Sequence, residues 1–186
     1  MYNGLDEQEL AWRCRERDRM AIDELYRRYA AKVLTLCKRY VRDEDDAKDL
    51  MLDTLLQAID KIDTYRFTGK GSLGGWICRI AINRAVDKIR RRRWRMVPLD
   101  LSVQDRITEP TPEEMDEIPS EKLREWISGL PELRRAVFNL YCIDGYSHKD
   151  IAGMLGISET GSTSILAKAR RQLKEKIRQY LKEQDG

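Results

Sequence analysis

Four of the chain's five prolines, Pro98, Pro110, Pro112 and Pro119, fall within residues 96–119, a stretch without helical periodicity. Proline supplies no backbone donor and disfavours helix in the residue before it, so this stretch reads as an extended linker. It divides the 186 residues into two parts, 1–95 and 120–186, each with room for only a modest core. With 11 glycines and a single further proline, Pro131, the remainder favours long helices over a turn-rich sheet structure. The expected fold class is all-α, with two small helical domains joined by the linker.

Residues 1–95 carry three helical stripes. Ile22, Leu25, Tyr26, Tyr29, Val33, Leu36, Cys37 and Tyr40 recur at the spacing of a helix face turned to a core. Asp43–Asp46 then opens a second helix, its acids suiting the positive end of the helix dipole, with Ala47, Leu50, Met51, Thr54, Leu55, Ala58 and Ile62 inward. The four glycines of Thr68–Gly75 mark a loop. A third long helix follows from Leu73 or Trp76, with Ile77, Ile80, Ala81, Ala85 and Ile89 inward, and ends in the run Arg90–Arg93.

Residues 120–186 predict a helix over Glu121–Ser128 stopped by Gly129, and a second from Pro131 to Ile143. Ser147-His148-Lys149-Asp150 then has the capping-box arrangement. A short helix leads to Gly156, expected at positive φ, and Ser158 caps a last helix from Glu159 to Lys182. This is the spacing of a helix-turn-helix, with Ile151, Leu155 and Ile157 burying the turn. Ile165, Leu166, Ala169 and Leu173 pack the second helix. Glu159, Thr160, Ser162, Thr163, Lys168 and Arg171 are then expected to face outward, the first turns toward base edges and the later cations toward phosphates.

The charge is segregated. Residues 79–95 hold eight cations against Asp87 alone, residues 96–121 hold eight acids against Arg106, and residues 159–182 hold seven cations against Glu159 and Glu175. Two basic helical blocks flanking an acidic connector suit a polyanion, and nucleic acid is the expected partner.

Other chemistries find little support. Cys14, Cys37, Cys78 and Cys142 form no short-spaced pair of the kind zinc and redox sites use, and Cys37 and Cys78 read as reduced thiols among apolar residues. His148 is the one histidine, placed in a capping turn and expected to be exposed, and no nucleophile–base pair or phosphate-binding loop is present. No metal, cofactor, catalytic residue or small-molecule substrate is expected. No signal peptide or membrane-spanning run is visible, so a cytoplasmic location is expected. The residues to this point leave open a stand-alone helix-turn-helix regulator that uses residues 1–95 for dimerisation or sensing.

Three strings in order extend the reading. Asp46-Ala47-Lys48-Asp49-Leu50-Met51-Leu52-Asp53-Thr54, then Gly74 to Asp87 with its Trp76-Ile77-Cys78-Arg79-Ile80-Ala81-Ile82-Asn83 core, resemble regions 2.2 to 2.4 of bacterial RNA polymerase sigma factors of the sigma-70 family. Leu130–Phe138 followed by Tyr146–Ser158 resembles region 4. The small size, without room for further regions, resembles the extracytoplasmic-function (ECF) subfamily. The resemblance implies a subunit, not an enzyme, that binds core RNA polymerase and directs promoter recognition, −10 melting and transcription initiation.

It also implies roles. Asp46, Asp49, Leu50 and Asp53 would dock on the clamp helices of the polymerase's largest subunit. Lys70, Trp76, Arg79, Asn83, Arg84, Lys88, Arg90, Arg91 and Arg92 would take the −10 element, with one base flipped from the stack. Ser158, Glu159, Thr160, Ser162, Thr163, Lys168 and Arg171 would read the −35 element beside the polymerase flap. The acidic connector would thread the RNA channel, and a membrane-associated anti-sigma factor would be a further partner. The sequence departs from the family pattern at Leu52, where a glutamine is usual, at Ile77, where housekeeping members carry a second tryptophan, and at Thr160-Gly161 and Thr163. A glycine inside a helix is expected to cost about 1 kcal/mol against alanine.

Overall fold

The computed structural model describes residues 4–93 and 118–184. The acidic connector, apart from its last two residues, and the side chain of Arg93 lie outside the described residues. The chain divides into two compact units, Met1–Ala85 and Val86–Gly186.

The described residues are helical throughout their regular structure. In the first unit α1 (Glu7–Arg15) starts where the Asp6 side chain accepts from Glu9 N–H at 2.7 Å. It has no counterpart among the expected helices. Its C-terminal turn closes with Arg17 at φ 58, the left-handed geometry that ends a helix. α2 (Arg19–Tyr40) is capped by Asp18 and α3 (Glu44–Asp60) by Asp43, both by carboxylates accepting backbone N–H groups. A single 3-10 turn, Ile62–Thr64, leads to the glycine loop and to α4 (Ser72–Arg93), whose residues from Val86 onward fall in the second unit.

Burial follows the expected stripes with local changes. Every expected inward position of α3 is buried, and so are Leu25, Tyr29, Val33, Leu36, Cys37 and Tyr40 of α2. Tyr26, expected inward, is 45% exposed, and Ala21 and Glu24 take up the stripe instead. On α4, Ile80 is half-buried, while Leu73 and Ile82 join the core. Cys14 and Cys37 are fully buried, and desolvation pushes their thiols up to about 11 and about 12. Cys78 is half-buried and Cys142 exposed.

Glu24 is tolerated in the core of α2 because it is paired. Arg27 donates to it at 2.8 Å, Arg28 also donates to it, and these hydrogen bonds hold the carboxyl below its ordinary range. Arg28 donates in addition to the Leu5 carbonyl at 2.6 Å.

In the second unit α5 (Ser120–Ser128) ends at Gly129, and α6 (Glu132–Phe138) starts after Pro131. The expected helix to Ile143 continues, but its last turn, Asn139–Ile143, widens into a π turn. α7 (His148–Leu155) and α8 (Glu159–Gln184) complete the unit. Leu130, Ala169 and Leu173 pack with Trp126, Ile127 and Phe138, and Trp126 meets Tyr180 edge-on at 5.7 Å between centroids. Among the described residues no helix is long and apolar enough to cross a membrane, and no group of His, Cys, Asp or Glu side chains is arranged to hold a metal ion.

Candidate nucleic-acid interface

α7 and α8 have the geometry of a helix-turn-helix. Ser147 accepts from Asp150 N–H at 3.1 Å while the Asp150 carboxylate accepts from Ser147 N–H at 3.3 Å, a complete capping box. Gly156 closes α7 at φ 64, ψ 43, a left-handed geometry that a side chain strains. Ser158 accepts from Gly161 N–H at 2.9 Å and so caps α8. Ile151 and Leu155 are buried, and Ile157 is half-buried.

The face presented by α8 differs from the expected one. Glu159, Thr160 and Thr163 are exposed, with the Thr163 hydroxyl donating back to the Glu159 carbonyl at 3.2 Å. Ser162 is a correction. It is fully buried, and its hydroxyl meets His148 Nδ1 at 2.9 Å, so it ties α8 to the first residue of α7 instead of facing outward. Lys168 and Arg171, also expected outward, are half-buried, whereas Arg170 is exposed. Helical spacing separates 163, 167 and 170 from 162, 166 and 169 by one step of about 100°, and packing of α8 on α6 and α7 decides which row is buried.

His148 is likewise more than a capping-turn residue. It is half-buried and stacked on Tyr141, with ring centroids 4.4 Å apart and planes at 20°. The Arg170 guanidinium lies 5.8 Å from the Tyr141 centroid. The π turn delivers Tyr141 to this stack, a detail no sequence period encodes.

In the first unit, Arg79 and Asn83 are exposed one turn apart on α4, and Lys70 is exposed on the glycine loop. Trp76 is half-buried and packs on Tyr65 at 5.6 Å between ring centroids, so only part of its indole is presented. Arg84 and Lys88 are half-buried, and Arg90 pairs with Asp87 at 2.8 Å. Arg91 and Arg92 are exposed. Beside the loop runs a groove of about 720 Å³ whose lining includes Trp12, Arg15, Arg66 and Phe67 together with the carboxyl side chains Asp6, Glu9 and Asp63. Trp12 and Phe67 are 52% and 45% exposed, and exposed aromatics flanked by arginines suit unstacked bases. No helical period marks Trp12, Arg15, Arg66 or Phe67 in the sequence; the signals it carries are the run Trp12-Arg13-Cys14-Arg15 and the pair Arg66-Phe67.

α3 presents a second face. Asp49 and Asp53 are exposed, and Asp46 is half-buried. Leu50, expected on this surface, is 5% exposed and belongs to the core, because it lies on the same row as Ala47, Met51 and Thr54. Leu52 and Leu56, 44% and 61% exposed, stand instead among the acids Asp45, Asp49, Asp53 and Asp60. The structure brings one member of each candidate group together, since Arg84 of α4 binds Asp53 of α3.

Residues 25–95 match the family model for sigma-70 region 2, and residues 120–173 match that for sigma-70 region 4. The chain is 30% identical over 168 residues to the ECF RNA polymerase sigma factor SigE of Mycolicibacterium smegmatis, covering 87% of this chain and 63% of that protein. It thus spans less than two thirds of SigE's length. It is 30% identical over 159 residues to the ECF RNA polymerase sigma factor SigM of Mycobacterium tuberculosis, covering 84% of this chain and 76% of that protein. Among solved structures it is similar to sigma factor RpoE in complex with the anti-sigma factor NepR from Bartonella quintana, with a TM-score of 0.48, 18% identity, and coverage of 82% of this chain and 94% of that one.

Proposed function

The chain belongs to the ECF subfamily of sigma-70 factors, the non-catalytic subunits that bind core RNA polymerase and direct promoter recognition and initiation, and from that premise we propose a division of labour among its helices. α3 docks on the clamp helices of the largest polymerase subunit. Asp49 and Asp53 meet basic side chains, Leu52 adds apolar contact where the family usually carries a glutamine, and Leu56 extends it. The single observation that supports this most is that α3 exposes two leucines among four carboxylates on one face, while its opposite face is closed into the core.

The glycine loop and α4 take the unpaired −10 strand. Lys70, Arg79 and Asn83 contact it, Trp12 and Phe67 offer stacking surface, and Arg90–Arg92 meet phosphates. Stacking on aromatic surface offsets the roughly few kcal/mol of unpairing. α8 enters the −35 major groove through Glu159, Thr160 and Thr163, with Ser158 at its start and Arg170 and Arg171 toward the backbone, next to the polymerase flap. A membrane-associated anti-sigma factor is a further partner, proposed on the subfamily alone.

The test mixes the protein with sigma-free core polymerase on a candidate promoter. Run-off transcripts and permanganate-reactive thymines in the −10 region are expected. DNA binding without core association would overturn the reading and restore the stand-alone regulator.

A further inference from the structure

Glu7, the first residue of α1, makes three hydrogen bonds that join distant parts of the first unit. Its Oε2 accepts from Gly71 N–H at 2.9 Å and from Leu73 N–H at 3.2 Å, and its Oε1 accepts from the Tyr29 hydroxyl at 2.9 Å. Gly71 precedes α4 and Leu73 lies in its first turn, where N–H groups have no intrahelical acceptor. Gly71 has no side chain with which to cap them. The Ser72 hydroxyl is engaged with the Tyr65 hydroxyl at 2.6 Å. The start of α4 is therefore capped by a carboxylate 64 residues upstream, whose charge also suits the positive end of the helix dipole.

The same contacts hold the loop. Gly69 and Gly71 sit at φ 132 and φ 89. The loop makes its own bonds from Ser72 N–H to the Gly69 carbonyl at 3.1 Å and from Thr68 N–H to the Ser72 hydroxyl at 3.4 Å, and Glu7 adds the long-range anchor at its end. The Tyr29 ring closes the arrangement against α4, since a Cβ on Gly74 would lie 3.0 Å from Tyr29 Cε1. Glu7 lies upstream of residues 25–95, the part of the chain that matches region 2.

We propose that Glu7 is a positioning residue for −10 capture, holding the loop from Phe67 to Lys70 in the shape that receives the unpaired strand. The inference rests on the assignment of this loop to the −10 element. A loop ordered in advance loses less conformational freedom on binding, and its release is expected to weaken capture about tenfold. Glu7 touches no base; it acts through the backbone of Gly71 and Leu73.

The test uses holoenzyme assembled from core polymerase and the full chain, on fork-junction DNA with a single-stranded −10 segment. Glu7→Ala is expected to weaken fork binding about tenfold while core affinity is unchanged. Glu7→Gln is expected to restore it to within about threefold, because its carbonyl can face the two amides while its NH2 donates to the Tyr29 oxygen. Lys70→Ala, which tests the loop assignment itself, is expected to weaken fork binding too. Loss with Lys70→Ala but none with Glu7→Ala would overturn the positioning role and leave the assignment standing. No loss with either would overturn both. Should Glu7→Ala fail to fold, Tyr29→Phe removes one of the three bonds, and a fork-specific loss of about two- to threefold is expected. Equal losses in fork and core affinity would identify a purely structural residue.

Discussion

Arg84 of α4 binds the carboxylate of Asp53 on α3 through Nη2 and reaches the Gln57 side-chain oxygen with Nη1 at 3.2 Å. One residue expected to take the −10 element and one expected to meet the polymerase are thus partners of each other. Their side chains are 33% and 56% exposed, so the pair contributes at most about 1 kcal/mol to stability. Its larger consequence is orientation. Arg84→Ala is expected to lower core-polymerase affinity severalfold as well as DNA affinity, because Asp53 loses the group that aims it. Asp53→Ala is expected to lower core affinity and leave DNA affinity intact or raised. Binding of each variant to core and to fork DNA checks this, and effects confined to one partner for Arg84→Ala would count against it.

Neighbouring leucines of α3 are expected to separate docking from folding. Leu50→Ala opens the core and should cost about 2–5 kcal/mol in denaturant unfolding. Leu52→Ala and Leu56→Ala remove exposed side chains and should stay within about 0.5 kcal/mol of the parent. If α3 is the docking face, the same two variants weaken core binding, and Asp49→Arg abolishes it. Anisotropy titration with core polymerase supplies the comparison.

Ser162 and Arg170 are expected to differ in kind. Ser162→Ala leaves His148 without its partner and should cost about 1 kcal/mol of stability, with −35 sequence preference unchanged. Arg170→Ala should leave stability nearly unaltered but lower −35 duplex affinity and reduce the slope of its salt dependence by about one. A changed base preference in Ser162→Ala would mean that the hydroxyl reaches DNA after all.

Two glycines of the helix-turn-helix should respond differently to alanine. A Cβ on Gly153 meets nothing within 4 Å, so Gly153→Ala is expected to stabilise α7 by about 0.5–1 kcal/mol. A Cβ on Gly161 would lie 2.9 Å from the Ser158 hydroxyl that caps α8. Displacing that cap costs about as much as the helix propensity returns, so Gly161→Ala should be near neutral. Thermal unfolding of the two variants distinguishes them.

Glu24 gives a pH dependence of definite sign. Its folded-state carboxyl is held below the ordinary range by hydrogen bonds from Arg28 and Arg27. The stabilisation is complete above the unfolded glutamate value of about 4.3 and is lost as pH falls through the depressed folded value. Glu24→Gln should therefore be less stable than the parent at neutral pH, with the difference shrinking toward acid. Urea unfolding at a series of pH values checks it, and a constant difference would exclude the linkage.

Periods alone sufficed for α4, and periods with the punctuation of the chain for α2, α3 and the helix-turn-helix. Their buried rows repeat at helical spacing, and their ends carry Asp18, Asp43, Ser147, Gly156 and Ser158, residues whose capping chemistry acts over three or four positions. Such local signals are complete in the sequence. The family strings were legible for the same reason, being contiguous.

What the tertiary structure decided lies at the borders of those rows and across long separations. Ser162 sits one helical step from exposed neighbours, and only the packing of adjacent helices turns it inward. Leu50, by contrast, already lies on the apolar row of α3 and is lost to the docking surface because it fills the core. α1, short and rich in charge, has too weak a stripe to announce itself. Glu7 finds Gly71 and Leu73, and Arg84 finds Asp53, through contacts 31 to 66 residues long that leave no period to read. The sequence alone determined two helical domains and a DNA-reading motif. Which side chains those helices spend on each other, and which they keep for polymerase and promoter, was decided by folding.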